Sequence, residues 1–135
     1  MTPTQTRTDF QTTVAQLKEL MWQFVNERSW QPFHNLKNLS MSLSIETAEL
    51  MEHTQWLTTE QVETTDYSQN QEVKEELADI LSYLLAISNA LDIDLTAEFA
   101  AKLEKNRQKY PVDSERTRRG LPTLPGVDDP QRNDR

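Results

Sequence analysis

The sequence predicts an all-α protein, because of where its glycines and prolines lie and how its apolar residues are spaced. Both glycines, Gly120 and Gly126, come near the carboxyl end, and Pro32 is the one proline between Thr4 and Tyr110. Tight turns and phosphate-binding loops depend on glycine, so β-hairpins and a glycine-rich loop are not expected before position 120. Apolar residues recur instead at intervals of three or four. We therefore predict a four-helix-bundle-like protomer.

Two helices are predicted in the first half of the chain. The first covers about residues 9–27, with Asp9 as its N-cap. A break follows over residues 29–36, because Pro32 lacks a backbone N–H and interrupts a helix. The second helix covers about residues 37–56, where apolar side chains again recur at helical spacing.

Two further helices are predicted after a polar connector. The connector, residues 58–70, shows no sustained periodicity and is predicted to be irregular. The third helix covers about residues 71–91. The fourth begins with Asp94 or Thr96 as its cap and ends before Pro111.

The chain is predicted to consist of one domain, residues 1–110, and a tail, residues 111–135. The tail is rich in proline, arginine and aspartate, which is typical of a mobile segment or one draped over a partner. Its five arginines and five acidic residues cancel, so the net charge of −8 belongs to the domain. So acidic a domain repels a phosphate backbone, and a nucleic-acid polymer is not expected as a partner.

Composition also predicts the cellular location of the protein. The chain has no cysteine, which excludes disulfides and thiolate metal sites. No apolar run approaches the roughly 20 residues that a membrane span needs, and the polar amino terminus does not resemble a signal peptide. We expect a cytoplasmic protein with no membrane partner.

Two acidic pairs border the apolar stripes of the second and third helices. Glu46 and Glu49 form the first pair, and Glu76 and Asp79 the second. Residues three apart project from one side of a helix, so the four carboxylates converge if these helices pack antiparallel. Converging carboxylates repel one another unless cations neutralise them, and oxygen ligands suit Mg²⁺ or Mn²⁺. Solvated helix faces also carry such pairs without a metal, and this alternative stays open.

Aromatic and amide side chains near these helices are candidates for contacts with a nucleotide. Trp30 and His34 lie in the break with Asn38 just after it, and such rings and amides can stack on a base and bind its edge. Packing of the loop onto the bundle is the alternative. Trp56 is either a stacking partner or the last core residue of its helix. Tyr83, four residues after Asp79, offers a ring and a hydroxyl or is a core tyrosine.

Polar residues recur along the fourth helix at three- or four-residue intervals. They are Lys102, Asn106, Lys109 and Tyr110. Lysine and amide donors in this arrangement can bind phosphate oxygens. A solvated basic face explains the lysines as well.

Three runs together resemble a known family. They are MWQFVNERSWQPFHNLKNLSMSLSIETAELMEHTQW, EELADILSYLL and KLEKNRQKYP, in this order. They resemble the MazG-like all-α nucleoside triphosphate pyrophosphohydrolases, and most of all the dCTP pyrophosphatase branch. The similarity covers about residues 20–111. It implies a helical bundle assembled as a dimer or a dimer of dimers.

The resemblance also implies an activity and roles for residues. The family cleaves between the α- and β-phosphates and releases the monophosphate and pyrophosphate. Its acidic signature falls on the two acidic pairs, which would bind Mg²⁺, with Mn²⁺ as a substitute. Glu49 is the favoured proton acceptor, and Lys102 would stabilise developing charge. Implied contacts to the nucleotide are Trp30, His34, Asn38, Trp56, Tyr83, Lys102, Asn106 and Tyr110.

The leading hypothesis is therefore a Mg²⁺-dependent pyrophosphohydrolase that acts on dCTP or a related pyrimidine deoxynucleotide, in nucleotide-pool house-cleaning. A broader nucleotide pyrophosphatase, a dUTPase or a phosphoribosyl-ATP pyrophosphohydrolase would share the acidic signature. A non-catalytic helical dimerisation module is the alternative from a different class. Such a module has no need of carboxylates beside its apolar faces, because they cost stability unless paired or metal-bound.

Overall fold

The structure, a computed structural model, describes residues 7–112, and these form helices and no strand. The all-α prediction is confirmed. In chain order the helices are α1 (Val14–Glu27), α2 (Leu36–Glu52), α3 (Thr59–Glu63), α4 (Gln71–Ala90) and α5 (Leu95–Lys109), with 3-10 turns at Gln31–Phe33 and Tyr67–Gln69. The four long helices, α1, α2, α4 and α5, correspond to the four predicted ones.

The start of α1 was predicted wrongly. Thr13 is the N-cap, not Asp9, which lies in a turn before the helix. The Gln16 N–H donates to Thr13 Oγ1 over 3.2 Å, and the Thr13 N–H donates to Gln16 Oε1 over 2.7 Å. This capping box satisfies two backbone donors at once, which an isolated aspartate at position 9 does not do.

The connector after α2 is more ordered than predicted. It contains α3, whose N-cap Thr58 forms the same capping box with Gln61. The second helix also ends earlier than predicted, at Glu52 rather than at Trp56. The Thr54 and Gln55 N–H groups both donate to the carbonyl of Met51, which closes the chain into turns. Threonines at this point favour caps and turns over helix.

Helix α4 is the centre of the packing, since α2 and α1 both lie against it. The buried apolar residues are Val25 of α1, Leu39 of α2, and Leu85 and Ala86 of α4. Ser88 is also buried, and its hydroxyl donates to the Leu85 carbonyl over 2.8 Å. The fully buried core of the described residues is thus small, and many large apolar side chains stay exposed.

Two polar bonds fasten α1 to the end of α4. The Lys18 ammonium donates to the Ile93 carbonyl over 2.7 Å. The Asn89 amide group donates to the Lys18 carbonyl over 2.9 Å. Because one comes from a side chain of α1 and the other from a side chain of α4, together they fix the register of the two helices.

The chain divides into two compact units, of which the first ends at Leu95 and the second begins at Thr96. The domain boundary predicted at residue 110 stays a prediction, and residues 113–135 of the predicted tail lie outside the described part. Within residues 7–112 no single helix has the length and apolar character to cross a membrane, although α4 and α5 pass that test when taken as one bent pair.

Candidate active site

Three of the four predicted metal ligands come together where α2 packs on α4. Glu46, Glu49 and Glu76 each present a carboxylate oxygen, and these oxygens lie within 4.8 Å of one another. The fourth predicted ligand, Asp79, lies outside this close group, one turn further along α4. Its charge nevertheless acts on both Glu46 and Glu76. We call the three glutamates with Asp79 the acidic cluster.

The electrostatics of the acidic cluster show that its carboxylates are crowded. The pKa of Glu46 is raised, first by partial burial and then by the charges of Glu49, Asp79 and Glu76. The pKa of Glu76 is raised in the same way, by burial and then by Glu49 and Asp79. A hydrogen bond from the protonated carboxyl to Glu49 is the smallest cause that raises the pKa of Glu46 and of Glu76. Crowding of this kind favours whatever brings positive charge, a proton or a cation.

The chemistry of these donors fits a hard divalent cation. Carboxylate oxygens from two helices can surround one ion, and the exposed side of the cluster leaves coordination positions for water or phosphate oxygens. No thiolate or neutral imidazole lies among the clustered ligands, which disfavours a softer metal. The residues therefore fit a metal centre of the Mg²⁺ or Mn²⁺ type.

An acidic groove of about 490 Å³ adjoins the cluster. Its lining residues are Glu49, Glu52, His53, Glu72, Glu75 and Glu76. A positive charge on His53 lowers the pKa of Glu76 and so opposes the other shifts on that group. The sequence prediction missed Glu52 and His53, although Glu46, Glu49 and Glu52 follow one another at intervals of three.

The aromatic residues of the break form a connected set. The Trp30 and His34 rings stack with centroids 6.5 Å apart and an interplanar angle of 28°. Phe24 meets Trp30 edge-on, with centroids 5.8 Å apart. The Arg28 guanidinium lies 3.6 Å from the centroid of the Phe24 ring, and its Nη1 donates to the Phe24 carbonyl over 2.9 Å. Partial burial lowers the pKa of His34, which favours the neutral imidazole.

Asn38, one of the predicted site residues, forms two hydrogen bonds at the end of this loop. Its side-chain amide donates to the Phe33 carbonyl over 3.0 Å, and its N–H donates to the side chain of Asn35, the N-cap of α2. Asn38 therefore joins the 3-10 turn at Gln31–Phe33 to the first turn of α2. One N–H of the side-chain amide is thus bound within the protein, and the contact of Asn38 with a nucleotide stays a prediction.

A second cavity of about 260 Å³ lies between α1, the aromatic loop and the end of α4. Its lining residues are Trp22, Val25, Gln31, His34, Ala86, Asn89 and Ala90. Of these, the sequence prediction included His34 alone. The walls are mostly apolar, with two amides and one imidazole among them. This composition is typical of a pocket for a small planar ligand.

Comparison with known proteins identifies the family. The model of the MazG-like family matches residues 41–119, which is more than half of the chain. The chain belongs to the MazG-like family. The matched segment of this MazG-like protein contains the whole acidic cluster, whereas the aromatic loop precedes it.

Individual relatives support a position near the dCTP pyrophosphatase branch. The chain is 35% identical to dCTP pyrophosphatase 1 of Bos taurus over 102 residues, which are 74% of this chain and 60% of that protein. It is 33% identical to dCTP pyrophosphatase 1 of Homo sapiens over the same shares. The chain thus spans about three fifths of the length of these curated relatives. The predicted resemblance is confirmed.

A solved structure supports the fold. The crystal structure of a pyrophosphatase from Archaeoglobus fulgidus is 37% identical to this chain, with a TM-score of 0.67. The match covers 72% of this chain and 91% of that one.

The remaining predicted site residues of the MazG-like chain belong neither to the acidic cluster nor to the aromatic loop. Trp56 is 87% exposed in the turn after α2, so it is not the last core residue of its helix. Tyr83 is half-buried on α4, one turn beyond Asp79. Lys102 and Asn106 lie four residues apart on α5 and belong to the second unit, as does Tyr110. Their roles at the site stay predictions.

Proposed function

We propose that this MazG-like protein is a Mg²⁺-dependent pyrophosphohydrolase that cleaves dCTP, or a related pyrimidine deoxynucleoside triphosphate, to the monophosphate and pyrophosphate. One observation carries the proposal: three carboxylates from two helices meet within 4.8 Å of one another. The names of the relatives, dCTP pyrophosphatase 1 and a pyrophosphatase, support the same chemistry. The proposed catalytic domain takes in residues 1–110.

In the proposed mechanism, the four carboxylates of the acidic cluster, Glu46, Glu49, Glu76 and Asp79, hold the cation. When bound, Mg²⁺ supplies neutralising charge for the phosphates and lowers the pKa of the nucleophilic water. Glu49 is the most exposed member of the close group, so its carboxylate is accessible to a water molecule at the site. We assign it as the general base.

The reaction forms one bond and breaks one. The water oxygen attacks the α-phosphorus, its proton passes to Glu49, and the bond from the α-phosphorus to the bridging oxygen breaks. Pyrophosphate leaves with that oxygen, and its negative charge needs a donor. We assign this role to Lys102, with Asn106 and Tyr110 as further phosphate contacts.

For the other end of the nucleotide we propose a base site built from the aromatic residues. The stacked Trp30 and His34 rings offer faces for a heterocycle. Tyr83 lies one turn after Asp79 on α4, and we assign it a contact with the sugar. We also retain Trp56 as a stacking partner, because an indole that is 87% exposed is free to cover a ligand. Asn38 acts here by holding the loop.

We further propose that the protein functions as a dimer or a dimer of dimers. Leu77, Leu81 and Leu84 lie at helical spacing on α4 and are 54%, 43% and 41% exposed. On α2, Met41 and Ile45 are 57% and 56% exposed. Exposed apolar stripes of this kind mark association surfaces. A monomeric mass by light scattering at micromolar concentration would contradict this assembly.

The activity is tested by incubating the protein with the common ribo- and deoxynucleoside triphosphates, with Mg²⁺ or with a chelator, and measuring pyrophosphate. We expect release from dCTP above the others and none with the chelator. Release from many nucleotides would favour the broader pyrophosphatase, and release from dUTP the dUTPase. No release from any nucleotide with Mg²⁺ would contradict the proposal and favour phosphoribosyl-ATP or a non-catalytic module. The cytoplasmic location and the absence of membrane or nucleic-acid partners stay predictions.

A further inference from the structure

We propose that Asn89 is a specificity-determining residue, which selects nucleobases that carry an amino group and discriminates against those with a carbonyl in its place. This inference rests on the proposed function. Asn89 lies near the end of α4 and lines the cavity of about 260 Å³ beside His34. The sequence offered no signal for it, because it belongs to neither acidic pair nor to the aromatic loop.

The amide of Asn89 has a fixed orientation. Its Nδ2 donates to the backbone carbonyl of Lys18 over 2.9 Å, and a carbonyl oxygen can only accept. The NH₂ group is therefore turned toward α1, and Oδ1 is on the side of the amide away from this bond. Within residues 7–112 no donor is paired with this oxygen. Asn89 thus offers a fixed acceptor, because the Lys18 backbone carbonyl determines which end of its amide faces α1.

The other amide of the cavity is not fixed in this way. Gln31 hydrogen-bonds to the side chain of Asn26, which is itself an amide with both a donor and an acceptor. Two side-chain amides can exchange roles by turning over together, so Gln31 can present either group. Of the two, Asn89 is therefore the residue that imposes a preference.

The walls of the cavity suit a flat ring. Trp22 and His34 contribute aromatic rings, and Val25, Ala86 and Ala90 contribute small apolar surfaces. The volume is slightly below the roughly 300–1,000 Å³ of sites that hold a whole small molecule. A single heterocycle fits this description, with the sugar and the phosphates outside the cavity.

The cavity also lies in the right direction from the acidic cluster. Along α4, Tyr83 comes four residues after Asp79 and Ala86 comes seven, which correspond to rises of about 6 and 10 Å at 1.5 Å per residue. The order phosphate, sugar and base along a nucleotide therefore matches the order Asp79, Tyr83 and Ala86 along α4. Asn89 lies one turn beyond Ala86, where the far edge of the base would be.

The donor pattern of the bases then predicts the selectivity. Cytosine carries an amino group at position 4, which donates, whereas uracil and thymine carry a carbonyl there, which accepts. A fixed Oδ1 acceptor stabilises the amino group and repels the carbonyl oxygen. For one neutral hydrogen bond at a partly exposed site we expect about a tenfold effect on kcat/KM.

The test compares dCTP, dUTP and the triphosphate of the 2-pyrimidinone deoxynucleoside, which lacks the 4-amino group. The wild type should prefer dCTP to each of the others by about tenfold in kcat/KM. In Asn89→Leu this preference should disappear. Lys18→Met is the matched control, because it removes the neighbouring bond from α1 to Ile93 without touching the cavity. It should lower thermal stability and keep the preference.

The outcomes separate this inference from the proposed function. Cleavage of all three substrates at equal rates by the wild type would overturn the role of Asn89 and leave the hydrolase intact. An unchanged preference in a folded Asn89→Leu would also overturn it. If that variant does not fold, the smaller substitution Asn89→Ala takes its place, with the same expected loss of preference. Failure of the wild type to cleave any of the three with Mg²⁺ would refute the proposed function, and the inference with it.

Discussion

Replacing Glu49 with glutamine should have opposite effects on stability with and without Mg²⁺. The substitution removes one of three carboxylates whose oxygens lie within 4.8 Å of one another. Burial is the first cause of the raised pKa of Glu46 and Glu76, and repulsion from neighbouring carboxylates is the second. Without a divalent cation, the loss of the Glu49 charge relieves this repulsion. The melting temperature of the chelated variant should therefore exceed that of the chelated wild type. With Mg²⁺ the order should reverse, because the variant has lost a ligand.

The size of the Mg²⁺ effect follows from linkage. A ligand at ten times its dissociation constant stabilises the folded state by RT ln 11, or about 1.4 kcal/mol. For a body of about 100 residues, 1 kcal/mol shifts the melting temperature by about 4–8 °C. The wild type should therefore gain about 6–11 °C, and the variant almost nothing. Because Glu49 is also the proposed general base, kcat should fall about 10²- to 10⁴-fold.

Differential scanning fluorimetry with a Mg²⁺ titration and a pyrophosphate assay measure the two effects. Glu52→Gln is the matched control: it makes the same change in charge, one turn further along α2, and lines the same groove. It should keep the Mg²⁺ response and most of the activity. Equal Mg²⁺ responses in Glu49→Gln and the wild type would refute the metal site, as would full activity of that variant.

Three further predictions concern the electrostatics, the core and the aromatic loop. The folded-state pKa of Glu46 is raised, so the metal-free protein should lose stability as pH rises from 4.5 through the raised value. The melting temperature measured across this pH range should fall in the wild type and change less in Glu46→Gln. Leu39→Ala should lower the free energy of unfolding in urea by about 2–5 kcal/mol, since Leu39 is 3% exposed. Leu36→Ala, at a 52% exposed position of the same helix, should lower it far less. Equal losses in the two variants would contradict the packing. Arg28→Gln should raise KM for dCTP several-fold at unchanged kcat, because the guanidinium supports the ring set that holds Trp30; an unchanged KM would remove Arg28 from that role.

Much of the fold was predictable because an amphipathic helix produces a periodic spacing of apolar residues in the sequence. Apolar residues three and four apart predicted all four long helices, and the ends of α4 were correct to within a residue. The errors lie at other helix boundaries, and two of them, at the start of α1 and in the connector, share one cause. Thr13 with Gln16 and Thr58 with Gln61 are capping boxes, and reading this spacing would have corrected the start of α1 and predicted α3.

The candidate site was predictable where it depends on spacing within a helix. The pairs Glu46 with Glu49 and Glu76 with Asp79 lie three residues apart, and packing of α2 on α4 brings three of the four together. Asn89 was not predictable, because its role depends on the Lys18 carbonyl, 71 residues away in the chain. Contacts between distant segments leave no periodic pattern in the sequence.

The central claim is that water attacks the α-phosphorus of dCTP at the acidic cluster. Hydrolysis in ¹⁸O-labelled water, followed by mass spectrometry of the products, tests it most directly. We predict that the wild type forms dCMP carrying one ¹⁸O atom and unlabelled pyrophosphate. The Glu49→Gln variant should form both products far more slowly than the wild type. Formation of dCDP with labelled inorganic phosphate, or label in the pyrophosphate, would contradict the claim.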